Sequence, residues 1–186
     1  MIAGLCAFMA TPCDNKHVTL NPLNCLFNTQ FYAGMLLCLY LTNNTMSITN
    51  KTILVAEIGV NAPIEKVWEL WNAPAAIMEW NNLSDEWHNT KVENDARTGG
   101  KFLFAMGLKD GSFKFDFCGT YTEVKTNELI SYTLDDGRNT SIVFTGVNPV
   151  KVTETFEANN NDPIDMQQSF CRGVLERFKK YVEGSI

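Results

Sequence analysis

Lys101 to Val124 reads KFLFAMGLKDGSFKFDFCGTYTEV, and the spacing of its aromatic residues decides the fold class. Side chains alternate between faces along a strand, so Phe102, Phe104 and Met106 share one side of a first strand, and Phe113, Phe115 and Phe117 share one side of a second. Lys109-Asp110-Gly111 between them is a turn signal, which makes the pair an antiparallel hairpin. Aromatic bulk concentrated on one face of a sheet needs a cover.

The same punctuation continues outward from this hairpin. Six strands fit the segments Trp87 to Ala96, Lys101 to Gly107, Ser112 to Val124, Glu128 to Leu134, Arg138 to Val147 and Val150 to Ala158. Their turns fall at Thr98-Gly99-Gly100, Lys109-Asp110-Gly111, Lys125 to Asn127, Asp135-Asp136-Gly137 and Asn148-Pro149. Upstream, Thr52 to Val60 (TILVAEIGV) is rich in β-branched residues and gives a seventh strand, ending before Asn61-Ala62-Pro63. Pro63 suits a first helical turn. Ile64, Val67, Trp68 and Trp71 then recur at spacings of three and four, one face of a short helix, and a second short helix runs from about Ala75 to Trp80.

Pro163 to Glu183 supplies the cover. It is long enough for five or more helical turns, and Ile164, Phe170, Cys171, Val174, Phe178, Tyr181 and Val182 form a broad apolar stripe. Asp162 is the expected N-cap and Gly184 the expected end. The chain is thus expected to be α+β, with a curved antiparallel sheet of seven strands wrapped around a long C-terminal helix and two short helices after the first strand. A strongly twisted sheet of this size curls around a helix but rarely fills the space between them. A cavity follows.

Composition narrows the function. Fifteen basic against 21 acidic residues give a net charge of −6, so the chain lacks the positive surplus that offsets phosphates on nucleic acid or anionic lipid. The first 45 residues stand apart: they hold only Asp14 and Lys16 as charged side chains, yet Cys6, Cys13, Cys25 and Cys38 of the six cysteines. Those four lack the close ligand pairs of a zinc site. The apolar run Phe31 to Leu41 is shorter than the roughly 20 residues a spanning helix needs, so stable membrane insertion is not expected. Met1 to Ala10 lacks the basic n-region of a secretory signal. Normal composition begins at Met46-Ser47-Ile48. The expected division is therefore an atypical N-terminal extension, residues 1–45, read as upstream sequence outside the native protein or, as the rival reading, a short membrane-associating or docking segment, and a domain of residues 46–186. That domain keeps only Cys118 and Cys171, and a reducing, cytoplasmic setting is expected for it.

Few residues offer catalytic chemistry. His17 and His88 are the only histidines, neither within a metal-ligand cluster, and no G-x-S-x-G stretch is present. No metal and no cofactor is expected. Gly99-Gly100 leads into a strand, not a helix N-terminus, and reads as a turn. Asp95 and Arg97 flank that turn as a charge pair, with Asp95 a weak candidate for proton transfer. More informative is Glu154, which alternates with Val150, Val152 and Phe156 and so should share their apolar face. Glu57 is expected to do the same with Ile53 and Val55. An interior carboxyl must be paired, hydrated or protonated. It could orient a ligand hydroxyl or act as a base with raised pKa. The structural alternatives are a bulge that turns it outward, or a partner such as Arg138 or Tyr132.

In order and spacing, several segments resemble one family. They are Ala62-Pro63-Ile64-Glu65-Lys66-Val67-Trp68, Trp80, Asp95 and Arg97 before Gly99-Gly100-Lys101-Phe102, Asp110-Gly111, Gly119-x-Tyr121, Asn127-Glu128-Leu129-Ile130, Val152-Thr153-Glu154-Thr155-Phe156, Leu175, and Phe178-Lys179-Lys180-Tyr181-Val182-Glu183. From Thr52 to Glu183 the chain is similar to the helix-grip (START and birch-pollen-allergen-like) superfamily. Within it, the chain resembles the family of the activator of the heat-shock-protein-90 ATPase, whose members are often labelled polyketide-cyclase-like. The resemblance implies the helix-grip fold and a habit of binding ligands. Relatives would carry a Trp near position 171, where this chain has Ser169-Phe170-Cys171, so ligand identity is not carried over.

Three functions compete. The first is non-catalytic binding of an apolar or amphipathic small molecule, with Trp68, Phe104, Phe115, Phe170, Cys171, Val174 and Phe178 as wall residues and Glu154 as the polar anchor. The second is a cyclase-, hydrolase- or isomerase-type enzyme in the same cavity, using Glu154 or Asp95 for proton transfer. The third is an interaction module, a homodimer or a contact with a chaperone.

Overall fold

The computed structural model describes residues 51–82 and 84–186. The expectation about residues 1–45 lies outside the described residues, as does His17. The elements follow the order β1 (Ile53–Val60), α1 (Ile64–Asn72), α2 (Pro74–Trp80), β2 (Trp87–Asn94), β3 (Lys101–Leu108), β4 (Lys114–Lys125), β5 (Leu129–Leu134), β6 (Asn139–Thr145), β7 (Val150–Glu157) and α3 (Ile164–Glu183). The strands form one antiparallel sheet in the order β1-β7-β6-β5-β4-β3-β2. This is the helix-grip arrangement. Among the described residues no helix is long and apolar enough to cross a membrane.

Register explains the curl. The β2–β3 ladder shifts between Asn89 and Lys91, and the β4–β5 ladder shifts between Tyr121 and Glu123. Such bulges bend the strand that carries them and tighten its twist. The concave face then gathers the aromatic sets: Phe102, Phe104, Met106 and Phe115 are all buried. Helix α3 packs along β1 and turns Leu175, Phe178 and Val182 into the core with no exposed surface.

Two glycines near the β2–β3 turn are required by close approach. A Cβ on Gly100 would collide with the Asp95 backbone carbonyl, because the turn folds back so that Gly99 donates to the Tyr121 carbonyl and Tyr121 donates to that of Gly100, at 2.8 and 2.9 Å. On Gly119 a Cβ would meet the Thr133 carbonyl at 2.6 Å and the Phe102 ring at 3.0 Å. Neither the β5 backbone nor the packed ring can yield cheaply. Gly119→Ala should therefore destabilise the domain by about 1–3 kcal/mol, the usual cost of overpacking, read as a lower urea midpoint at unchanged slope.

Two expectations are corrected here. Asp162 does not cap α3: Pro163 is the N-cap residue and makes no side-chain cap bond. The Asp162 carboxylate instead accepts from Asn159 Nδ2 at 2.9 Å. Fully buried Gln167 ties down the loop before α3, donating to the carbonyls of Asn159 and Asp162 at 3.1 and 2.8 Å and accepting from the Asn159 amide at 2.9 Å.

Glu57 faces outward. Leu54, Ala56 and Val60 are the buried set of β1, while Ile53 and Val55 are 52% and 43% exposed. Both alternating sets are apolar, so periodicity alone could not choose between them. Glu57 pairs with Lys151 at 2.7 Å and accepts from Thr153 Oγ1 at 3.1 Å, and the Lys151 ammonium holds its carboxyl below the usual range.

Candidate functional site

Between the concave sheet and α3 lies a partly enclosed cavity of about 120 Å³. Its floor is built by alternation: Phe102, Phe104 and Met106 from β3, Phe117 and Tyr121 from β4, Ile130, Tyr132 and Leu134 from β5. Thr140 and Ile142 follow from β6, and Glu154 and Phe156 from β7. Trp71, Trp80 and Asn81 close one side, and Phe170, Cys171 and Val174 of α3 form the roof. A cavity of about 150 Å³ with apolar walls admits benzene, whereas drug-sized ligands occupy roughly 300–1,000 Å³. The space therefore suits a ring or a short branched chain rather than a complete long-chain lipid.

Polar groups converge on one region of this wall. Glu154 stands opposite Ile142 in the β6–β7 ladder, and Tyr132 opposite Thr140 in the β5–β6 ladder. The Thr140 hydroxyl lies within hydrogen-bonding reach of the Tyr132 phenol. Among the described residues no group hydrogen-bonds or pairs with the Glu154 carboxyl. Burial alone pushes its pKa up to about 7. The side chain is half-buried and lines the partly enclosed cavity. Burial together with the nearby Glu154 charge also pushes up the Tyr132 phenol and the Cys171 thiol, keeping both neutral. The thiol is therefore a poor nucleophile here.

Arg138 reaches the same wall but does not neutralise Glu154. Its guanidinium is engaged by Asp136, with Nε and Nη2 both 2.7 Å from Oδ2. Glu157 at the end of β7 is likewise occupied, by Lys51 at 2.8 Å and by the Asn139 amide at 2.9 Å. A relay runs outward from the cavity through Tyr121, whose hydroxyl donates to Asn94 Oδ1 at 2.5 Å. Asn94 Nδ2 in turn donates to the Asn72 carbonyl at 2.8 Å. This chain fixes the β4 wall against the end of α1.

Of the side chains expected at the site, the structure gathers Phe104, Glu154, Phe170, Cys171 and Val174 around the cavity. Trp68, Phe115 and Phe178 lie elsewhere. Trp68 meets the edge of Phe144 at 5.3 Å, and Phe115 packs on Trp87 at 5.8 Å. Phe178 sits behind the wall, 4.8 Å from Trp71 and 4.9 Å from Trp80. Asp95 does not line the cavity: it is an exposed partner of Arg97, with side-chain exposures of 52% and 70% and a 2.9 Å contact. Its carboxylate serves the turn, and such pairs contribute little to stability. His88 stands opposite Gly107 in the β2–β3 ladder, outside the cavity lining. Among the described residues no three His, Cys, Asp or Glu side chains stand together as a metal site requires.

Sequence reading missed Trp71, Trp80, Tyr121 and Thr140 as wall residues. The signal for Thr140 was present, since it is a polar residue alternating with Ile142 and Phe144 in the manner that singled out Glu154.

A family model described as Activator of Hsp90 ATPase homolog 1-like protein matches residues 61–180. The solution structure of the AHSA1-like protein from Aeromonas hydrophila is similar at 38% identity and a TM-score of 0.68, covering 72% of this chain and 94% of that one. The solution structure of Chr148 from Cytophaga hutchinsonii is 45% identical with a TM-score of 0.63, covering 73% and 94%. Protein CV1439 from Chromobacterium violaceum, at 23% identity and a TM-score of 0.64 over 70% of this chain and 96% of that one, shares the fold. No curated protein sequence matches the chain.

Proposed function

The chain belongs to the family of Activator of Hsp90 ATPase homolog 1-like proteins, and from its cavity we propose that it binds a small apolar or amphipathic molecule between the sheet and α3. The observation that carries this reading is an aromatic-walled space holding one carboxyl, Glu154, without a partner among the described residues. A core built only for stability would fill that volume and place no ionisable group there. Affinity would come from apolar area removed from water, at about 25 cal/mol per Å², and Glu154 with Tyr132 would set orientation.

Val174 is the lever for a test, since it lines the roof from α3 and is only partly buried. Val174→Trp should fill the space without touching the fully buried core. Wild-type protein from its native source should carry a small molecule of ring size in native mass spectrometry. The variant should lose at least about nine-tenths of that occupancy, the tenfold effect of roughly 1.4 kcal/mol. Equal occupancy in both would remove the cavity as the binding place.

One observation favours a catalytic reading as the runner-up. A carboxyl with pKa near 7 facing an apolar space is suited to general acid–base work of the cyclase or hydrolase type. That reading requires Glu154→Gln to abolish turnover of any substrate found, while pure binding requires only altered affinity.

A further inference from the structure

The cavity wall is short of one positive charge. Its lining includes the rings of Trp71, Trp80, Phe102, Phe104 and Tyr132 among others, and an aromatic face carries the negative side of the ring quadrupole and attracts cations. Of the two carboxyls in this lining, Glu157 is held by Lys51, while Glu154 has no partner among the described residues. Arg138, which could have supplied the charge, is held by Asp136 through two contacts of 2.7 Å. Resting on the reading of this cavity as a ligand site, we propose that its ligand is a small organic ammonium whose cationic head pairs with Glu154 and whose apolar body lies against the Phe102, Phe104 and Trp71 rings.

The alternative, a neutral alcohol or ketone, fits the surroundings less well. Such a ligand would gain one ordinary hydrogen bond from a protonated Glu154 and leave the ring faces with no charge to attract. An ammonium forms a charge-assisted bond, roughly twice as strong as a neutral one, and takes up the ring faces as well. Its head also restores the missing charge, so the carboxyl that burial keeps largely protonated up to about pH 7 ionises on binding. The other groups facing Glu154 do not confuse this linkage. Tyr132 on β5, Tyr121 on β4 and Cys171 on α3 are all pushed up and stay neutral, and β6 offers only the uncharged Thr140. Arg138 and Glu157 keep their partners Asp136 and Lys51.

Benzylammonium, benzyl alcohol and toluene each carry a single ring and differ in the head group. Titration calorimetry of the full chain with each, at pH 6 and pH 8, tests the proposal. Benzylammonium stays protonated at both values, so its affinity should rise about tenfold from pH 6 to pH 8, as the free Glu154 ionises. At pH 6, repeating the titration in two buffers of different ionisation heat should show release of most of one proton. Glu154→Gln should abolish both effects. The buffer comparison needs only wild type, so it decides even if the variant fails to fold. Binding of the neutral compounds with no preference for benzylammonium and no proton release would overturn the ammonium assignment and leave the cavity reading standing. Binding of none of the three would overturn both.

Discussion

Phe178→Ala should cost about 3–5 kcal/mol of folding stability, the range for emptying a large buried aromatic position, against total stabilities of about 5–15 kcal/mol for domains of this kind. Phe178 has no exposed surface and meets Trp71 and Trp80 edge-on at 4.8 and 4.9 Å. It joins α3 to the two short helices, so its removal takes the mutual support from three elements at once. Trp80 cannot swing in to fill the gap easily, because its indole Nε1 donates to the Leu70 carbonyl at 3.0 Å. The expected result is a fall in urea midpoint with little change in slope. A second consequence separates this residue from an ordinary core position. Trp71 and Trp80 form one side of the cavity and Phe178 backs both, so ligand affinity should fall together with stability. A loss of less than about 1 kcal/mol would mean that the helix does not rely on this contact.

The fate of Phe178 also shows what the sequence could and could not convey. Periodicity identifies which side of a helix or strand is buried, and it placed Trp68, Trp71 and Phe178 on inner faces. It does not say how deep each inner residue sits or where packing stops. Trp68 and Trp71 are three residues apart on one face of α1, yet only Trp71 borders the cavity, while Trp68 packs on Phe144. The distinction depends on the curl of the sheet, set by register shifts near Asn89 and Tyr121 that leave no mark in a hydrophobic pattern. Strand identity was easier to read, because Asp110-Gly111 and Asp136-Gly137 sit at turns where glycine takes a positive φ of 76° and 86°. Glu154 was legible for a related reason. On β7 only one alternating set is apolar, so a carboxylate within it had to face inward. On β1 both sets are apolar, and Glu57 was assigned to the wrong face.

Glu154→Gln should make the domain more stable at pH 8 by up to about 3 kcal/mol and leave it nearly unchanged at pH 4. The carboxyl has an ordinary value of 4.5 and is raised to about 7 in the folded chain by burial, so across that interval the folded state binds more protons than the unfolded state. Stability then falls as pH rises. Below 4.5 both states are protonated and the contribution is fully present. Above 7 both are ionised and it is gone, the folded chain now holding a bare buried charge. A shift of two to three pKa units corresponds to about 3 kcal/mol at 1.36 kcal/mol each. Glutamine keeps the shape and cannot ionise, so the difference between the two unfolding curves isolates this one group. Glu57, Asp85 and Asp110, whose carboxyls are held low by Lys151, Arg177 and Ser112, act in the opposite sense and at more acid pH. They are common to both proteins and cancel. Parallel stability curves for wild type and variant between pH 5 and pH 8 would show that Glu154 is solvated in the folded chain. In that event neither a base nor a charge anchor could be built on it. The expected divergence identifies a residue that weakens the empty protein at neutral pH and above, a cost that nothing within the described fold offsets and that a cationic occupant would remove.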